Sequence, residues 1–115
     1  MIRAAVTVGS DGLLQRVEIT GHAGYGVSGN DIVCAAVTAL VRSAARLLER
    51  DGRFEIAGEA PEPGALSFVV MARATDAEPY LRGIGDMLIL GLSDITREYP
   101  DRCSLHVGQG ARNGT

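Results

Sequence analysis

A chain of 115 residues, 46% of them hydrophobic and 22% charged, is long enough for one domain with a core of its own and too short to expect two. Its formal net charge of −3 and pI near 5.3 argue against a general affinity for nucleic acid, which needs a clustered excess of cations. All eleven basic residues are arginine, so lysine chemistry is excluded.

The amino-terminal run Met1–Thr7 has neither the basic flank nor the long apolar stretch of a signal peptide, and no segment reaches the length of a membrane span. These features predict a cytoplasmic protein without a membrane partner. In a reducing compartment the two cysteines, Cys34 and Cys103, read as free thiols to be judged separately by their surroundings.

Ile2, Ala4, Val6 and Val8 alternate with Arg3, Ala5 and Thr7. Gly9-Ser10-Asp11-Gly12 then supplies turn residues before a second alternation from Leu13 to Thr20. This predicts a β-hairpin. A helix is expected from Asn30 or Asp31, both good N-cap residues, to about Asp51-Gly52. Phe54–Gly58 and Leu66–Arg73 read as a second hairpin. Another helix is expected to start between Thr75 and Pro79, where Thr75 and Glu78 have capping-box spacing, and to end at Tyr99-Pro100. Leu81, Ile84, Leu88, Leu92 and Ile95 repeat at helical spacing. Met87, Ile89 and Leu90 widen that apolar arc enough to suggest a second subunit as well as a broad core face. Arg102–Val107 reads as a last strand. The expected fold class is α+β in the order ββαββαβ, a mostly antiparallel sheet covered by two helices, with residues 1–108 as one domain and 109–115 as a flexible tail.

The chemistry concentrates between Gly21 and Cys34. A histidine, His22, follows the second strand; a glycine-rich loop with Gly24, Tyr25, Gly26 and Gly29 comes next; and Cys34 is expected in the first turn of the helix. A thiol near the positive end of a helix dipole ionises more readily than a free one, and an imidazole brought to it serves as base and then as acid. Free amides at the helix start would suit the oxyanion of an acyl intermediate. On a helical wheel Cys34 falls at the border between the apolar arc and the polar one, near Thr38, Val41 and Ala45. Asp31 suits either an N-cap or a group orienting His22. The glycines make a flap able to carry His22 and Tyr25 over a bound peptide.

Cys103 shares a strand face with Leu105 and Val107 and is expected in the core, while His106 on the other face is expected at the surface. A zinc site from His22, Cys34, Cys103 and His106 is disfavoured because the last two point apart, so neither metal nor cofactor is expected. Gly24–Gly29 is also literally G-x-G-x-x-G, with Glu59 after the next strand where a ribose-binding acid would stand. Against a dinucleotide, Asp31 puts negative charge where the pyrophosphate would bind, and hairpins make an antiparallel sheet.

Gly21-His22-Ala23, a short glycine-containing loop and Asp31-Ile32-Val33-Cys34-Ala35-Ala36 together resemble the ribosomal-processing cysteine protease family called Prp. The resemblance implies a Cys34/His22 dyad with Cys34 as nucleophile and His22 as base and acid. Asp31 takes the family's acidic position, and Thr38 stands where the family usually has serine. It further implies a homodimer that removes a short amino-terminal extension from the precursor of large-subunit ribosomal protein twenty-seven. The rivals are a non-catalytic ribosome-assembly or peptide-binding adaptor in which Cys34 only packs, and a redox or acyl-transfer thiol protein.

Overall fold

The structure is a computed structural model that describes residues 1–21, 28–62 and 65–110, with the side chains of residues 28–31 and 59–62 outside that description. Its elements are β1 (Ile2–Val8), β2 (Leu14–Thr20), α1 (Ser28–Asp51), β3 (Phe54–Glu62), β4 (Ala65–Arg73), a 3-10 turn (Thr75–Ala77), α2 (Glu78–Glu98) and β5 (Cys103–Gln109). The order is the expected ββαββαβ.

The five strands form one sheet in the spatial order β3-β4-β2-β1-β5. All neighbours are antiparallel except β1 and β5, which run parallel from Ile2 opposite Cys103 to Val8 opposite Gln109. Period-two alternation decides which face is covered. Ile2, Ala4 and Val6 are buried, as are Val17, Ile19 and Phe68, whereas Arg3, Arg16 and Thr20 face outward. Both helices pack on that apolar face. Helix α1 contributes Val33, Val37, Val41, Ala44 and Leu48, and α2 contributes Leu81, Leu88 and Leu92, all essentially inaccessible. Each large aliphatic side chain so buried is worth about 1.5–3 kcal/mol relative to exposure. Gly91 lets the helices approach, because a β-carbon there would stand 2.6 Å from a methyl of Leu40.

The β1–β2 turn is closed by Gly12 at φ +81° and by Asp11, whose carboxylate accepts from the Leu13 amide at 3.0 Å. Arg73 on β4 reaches the other Asp11 oxygen at 3.1 Å, and Arg82 on α2 donates to the Asp11 carbonyl at 2.8 Å. This end of the sheet is thereby tied to β4 and α2. At the opposite end β2 finishes beside the beginning of β1.

Several boundaries differ from expectation. Helix α1 begins at Ser28, two or three residues before Asn30 or Asp31. Ser28, Asn30 and Asp31 are all helix-starting types, and local signals do not rank them. The Thr75/Glu78 capping box does not form. Thr75 lies inside the 3-10 turn, and Ala77 precedes α2 without a side-chain cap, with Pro79 in the first turn where its missing N–H costs nothing. Strand β5 continues past Val107 to Gln109, and the Gly110 amide donates to the Val8 carbonyl at 2.7 Å, so the sheet holds residues assigned above to the tail. No described helix is long and apolar enough to cross a membrane.

Candidate active site

Strand β2 ends beside the start of β1, with Thr20 opposite Arg3. The next residue, Gly21, has φ of +94°, and a β-carbon there would run into the carbonyl oxygen of Met1. Positive φ and lack of room together admit only glycine. The chain therefore leaves the sheet at a defined point one residue before His22. His22, Gly24, Tyr25 and Gly26 lie outside the described residues. Gly29 is within the first turn of α1.

Helix α1 carries Cys34, and after the short Gly52-Arg53 connection β3 returns along the helix as an edge strand of the sheet. With Ile19 paired to Leu66, the end of β3 and the start of β4 lie at the Thr20 end of the sheet, on the same side of the molecule as the first turns of α1. Cys34 is half-buried and packs against the edge of the core. Thr38, one turn later, is also half-buried.

The early start of α1 alters the chemistry expected of Cys34. It is the seventh helical residue, in the second turn, so its own amide belongs to the helix ladder and the dipole acts on it weakly. The α1 amides without intrahelical partners are those of Ser28–Asn30. Because the Cα–Cβ bond in a helix tilts toward the amino terminus, Cys34 projects its sulfur toward that first turn. Asp31 stands inside the first turn rather than at the cap.

Cys103 is 1% exposed and meets the Thr96 hydroxyl at 3.7 Å, as a core thiol should. His106 is exposed on the opposite face of β5. These two side chains thus point apart, as strand alternation required. In the β2–α1–β3 passage β4 lies between the two strands, whereas the dinucleotide fingerprint belongs to neighbouring parallel strands.

A cavity of about 270 Å³ opens between α1 and the β3–β4 hairpin, with Ala45 and Glu49 on one wall and Ile56, Gly58, Leu66 and Phe68 on the other. Its one local signal is Gly58, an empty position in the helix-facing row Phe54, Ile56, Gly58 of β3.

The match to known proteins now decides the family. The model of the family described as cysteine protease Prp matches residues 1–104. The chain belongs to the Prp family. With the family comes the reaction class, cysteine proteolysis. A Bacillus subtilis relative, the ribosomal processing cysteine protease Prp, is 30% identical over 103 residues, covering 88% of this chain and 92% of the relative. The crystal structure of SMU.848 from Streptococcus mutans superposes with a TM-score of 0.80 at 26% identity, over 96% of each chain. The S. aureus ribosomal processing protease Prp, solved in complex with a substrate peptide, has a TM-score of 0.76 at 21% identity, covering 93% of this chain and 99% of that one. At that identity the last match speaks for the fold, which is therefore a Prp fold.

Proposed function

We propose that the chain is an endopeptidase that removes a short amino-terminal extension from large-subunit ribosomal protein twenty-seven during ribosome maturation, acting in the cytoplasm as a homodimer through a Cys34/His22 dyad. The observation that carries this reading is the contrast between the two thiols of a Prp-family chain: Cys103 is sealed in the core, and Cys34 is half-buried beside the first turn of α1. The names of its relatives support the substrate class, since the B. subtilis protein is a ribosomal processing protease and the S. aureus one has been solved with a substrate peptide and with a covalently linked product peptide.

In the mechanism His22 takes the proton of Cys34, and the thiolate attacks the scissile carbonyl carbon. The resulting oxyanion is held by the free first-turn amides of Ser28–Asn30. His22 returns the proton to the leaving amine, and the C–N bond breaks to leave a thioester. A water molecule, deprotonated by His22, then hydrolyses the thioester and frees Cys34. Asp31 favours the imidazolium by its charge, and Thr38 offers a hydroxyl on the Cys34 side of the helix. Of the flap residues expected from sequence, Gly21 is held at the sheet end and Gly29 belongs to α1, so the role of covering the peptide falls in this reading to Gly24, Tyr25 and Gly26.

The test is mass spectrometry of the organism's own precursor of ribosomal protein twenty-seven, incubated separately with wild type, Cys34→Ala and His22→Ala. Cleavage at a single site by wild type alone is expected. An intact precursor in all three would favour the adaptor reading, in which Cys34 only packs.

A further inference from the structure

The cavity between α1 and the β3–β4 hairpin is not required by the dyad, yet its position relates it to Cys34. Ala45 follows Cys34 by eleven residues, close to three full turns, so the two positions lie within about 20° of each other on the helix surface. Their axial separation is about 16 Å, at 1.5 Å per residue. A peptide in extended conformation covers that distance in about five residues. A peptide lying along α1 with its scissile bond at Cys34 therefore brings a side chain roughly five positions away to the mouth of the cavity.

The cavity exists because two facing positions lack bulk. Gly58 occupies the helix-facing row of β3 with no side chain, and Ala45 opposes it from α1 with a single methyl. A β-carbon on Gly58 would stand 3.2 Å from the Ser67 carbonyl oxygen and 3.6 Å from Cβ of Phe68, so Gly58 lies close against β4 and the cavity opens on its α1 side, toward Ala45. Ile56, Leu66 and Phe68 make the remaining surface apolar. At the far rim Glu49, one turn beyond Ala45, is exposed and is in none of the ion pairs among the described residues. An apolar pocket bordered by one free carboxylate is complementary to an aliphatic or aromatic side chain followed by a basic residue.

We infer that this cavity is a distal specificity subsite, which takes one large apolar side chain of an extended peptide substrate about five residues from the scissile bond, with Glu49 meeting a basic residue next to it. The inference rests on the proteolytic reading of Cys34. It adds a second recognition point, so that a short motif at the cut site is not by itself a good substrate.

The decisive experiment measures binding and cleavage separately. Labelled peptides spanning the precursor's processing site, with each position from seven before to seven after the scissile bond replaced in turn by alanine, are titrated by fluorescence anisotropy against Cys34→Ala protein. One apolar position four to six residues from the bond should weaken binding by roughly tenfold when truncated. Adding Ala45→Leu, which fills the pocket, should weaken the parent peptide equally and leave the alanine-truncated peptide unaffected. Equal losses for both peptides would report general damage to the fold, and no loss for either would show an unused pocket; each overturns the subsite. Cleavage by protein with Cys34 intact is scored in parallel. Absence of cleavage with the size-dependent binding pattern preserved would remove the proteolytic reading and leave the pocket.

Discussion

Gly21 passes so close to Met1 that the carbonyl oxygen of Met1 occupies the space a side chain on Gly21 would need. This contact joins the end of β2 to the beginning of β1 and sets the direction in which the chain departs toward His22. Gly21→Ala would meet both this overlap with rigid backbone and the strain of φ +94°. A loss of about 2 kcal/mol or more is expected, a Tm decrease of roughly 8 °C or more for a domain of this size. Circular dichroism melts of the variant check it, and an unchanged Tm would mean the contact is not maintained in solution.

The two thiols should separate cleanly by alkylation. Iodoacetamide added to native protein is expected to modify Cys34 and spare Cys103, which is 1% exposed and packed beside Thr96. A second adduct should appear only in denaturant. Intact-mass analysis with peptide mapping distinguishes this from modification of both sites under native conditions.

Leu90 is 64% exposed and Met87 39% exposed on α2, so the wide apolar arc seen in the sequence is not consumed by the core of one chain. If the proposed homodimer uses this surface, Leu90→Glu places a charge in it and should weaken association by about tenfold or more. Sedimentation velocity across a concentration series gives the result. A variant that still runs as a dimer at the same concentrations would place the interface elsewhere.

Asp51, at the end of α1, accepts from Arg53 Nε at 2.7 Å and from Arg53 Nη2 at 3.1 Å. The side-chain hydrogen bonds from Arg53 lower the carboxyl pKa, the adjacent positive charge lowers it further, and desolvation opposes them. A depressed native pKa stabilises the fold above the unfolded pKa, and that contribution is lost as pH falls through the native one. Asp51→Asn should therefore reduce the urea midpoint at neutral pH, with the difference from wild type shrinking well below about pH 4. A constant difference between pH 7 and pH 2 would refute the assignment. Both groups are partly exposed, so added salt should also narrow it.

Much of this molecule was legible without its structure, wherever the information is local. Alternation from Ile2 to Val8 and from Val17 to Thr20 showed which side chains face the core, and the same rule separated Cys103 from His106 on β5. Gly52, at φ +85°, ends α1 where a left-handed residue was expected. The start of α1 was not legible, because Ser28, Asn30 and Asp31 carry equivalent local signals and a shift of a few residues moves Cys34 from the first helical turn to the second.

Side-chain period and turn chemistry act within a few residues, so the order of the elements, their apolar faces and the segment that resembles Prp could be read from the residues alone. Long-range packing placed β4 between β2 and β3, paired β1 in parallel with β5, and set Ala45 across an open pocket from Gly58. Those relationships depend on which distant strands and helices share surfaces, and pairing at long range is set by the packing of the whole core rather than by any local pattern.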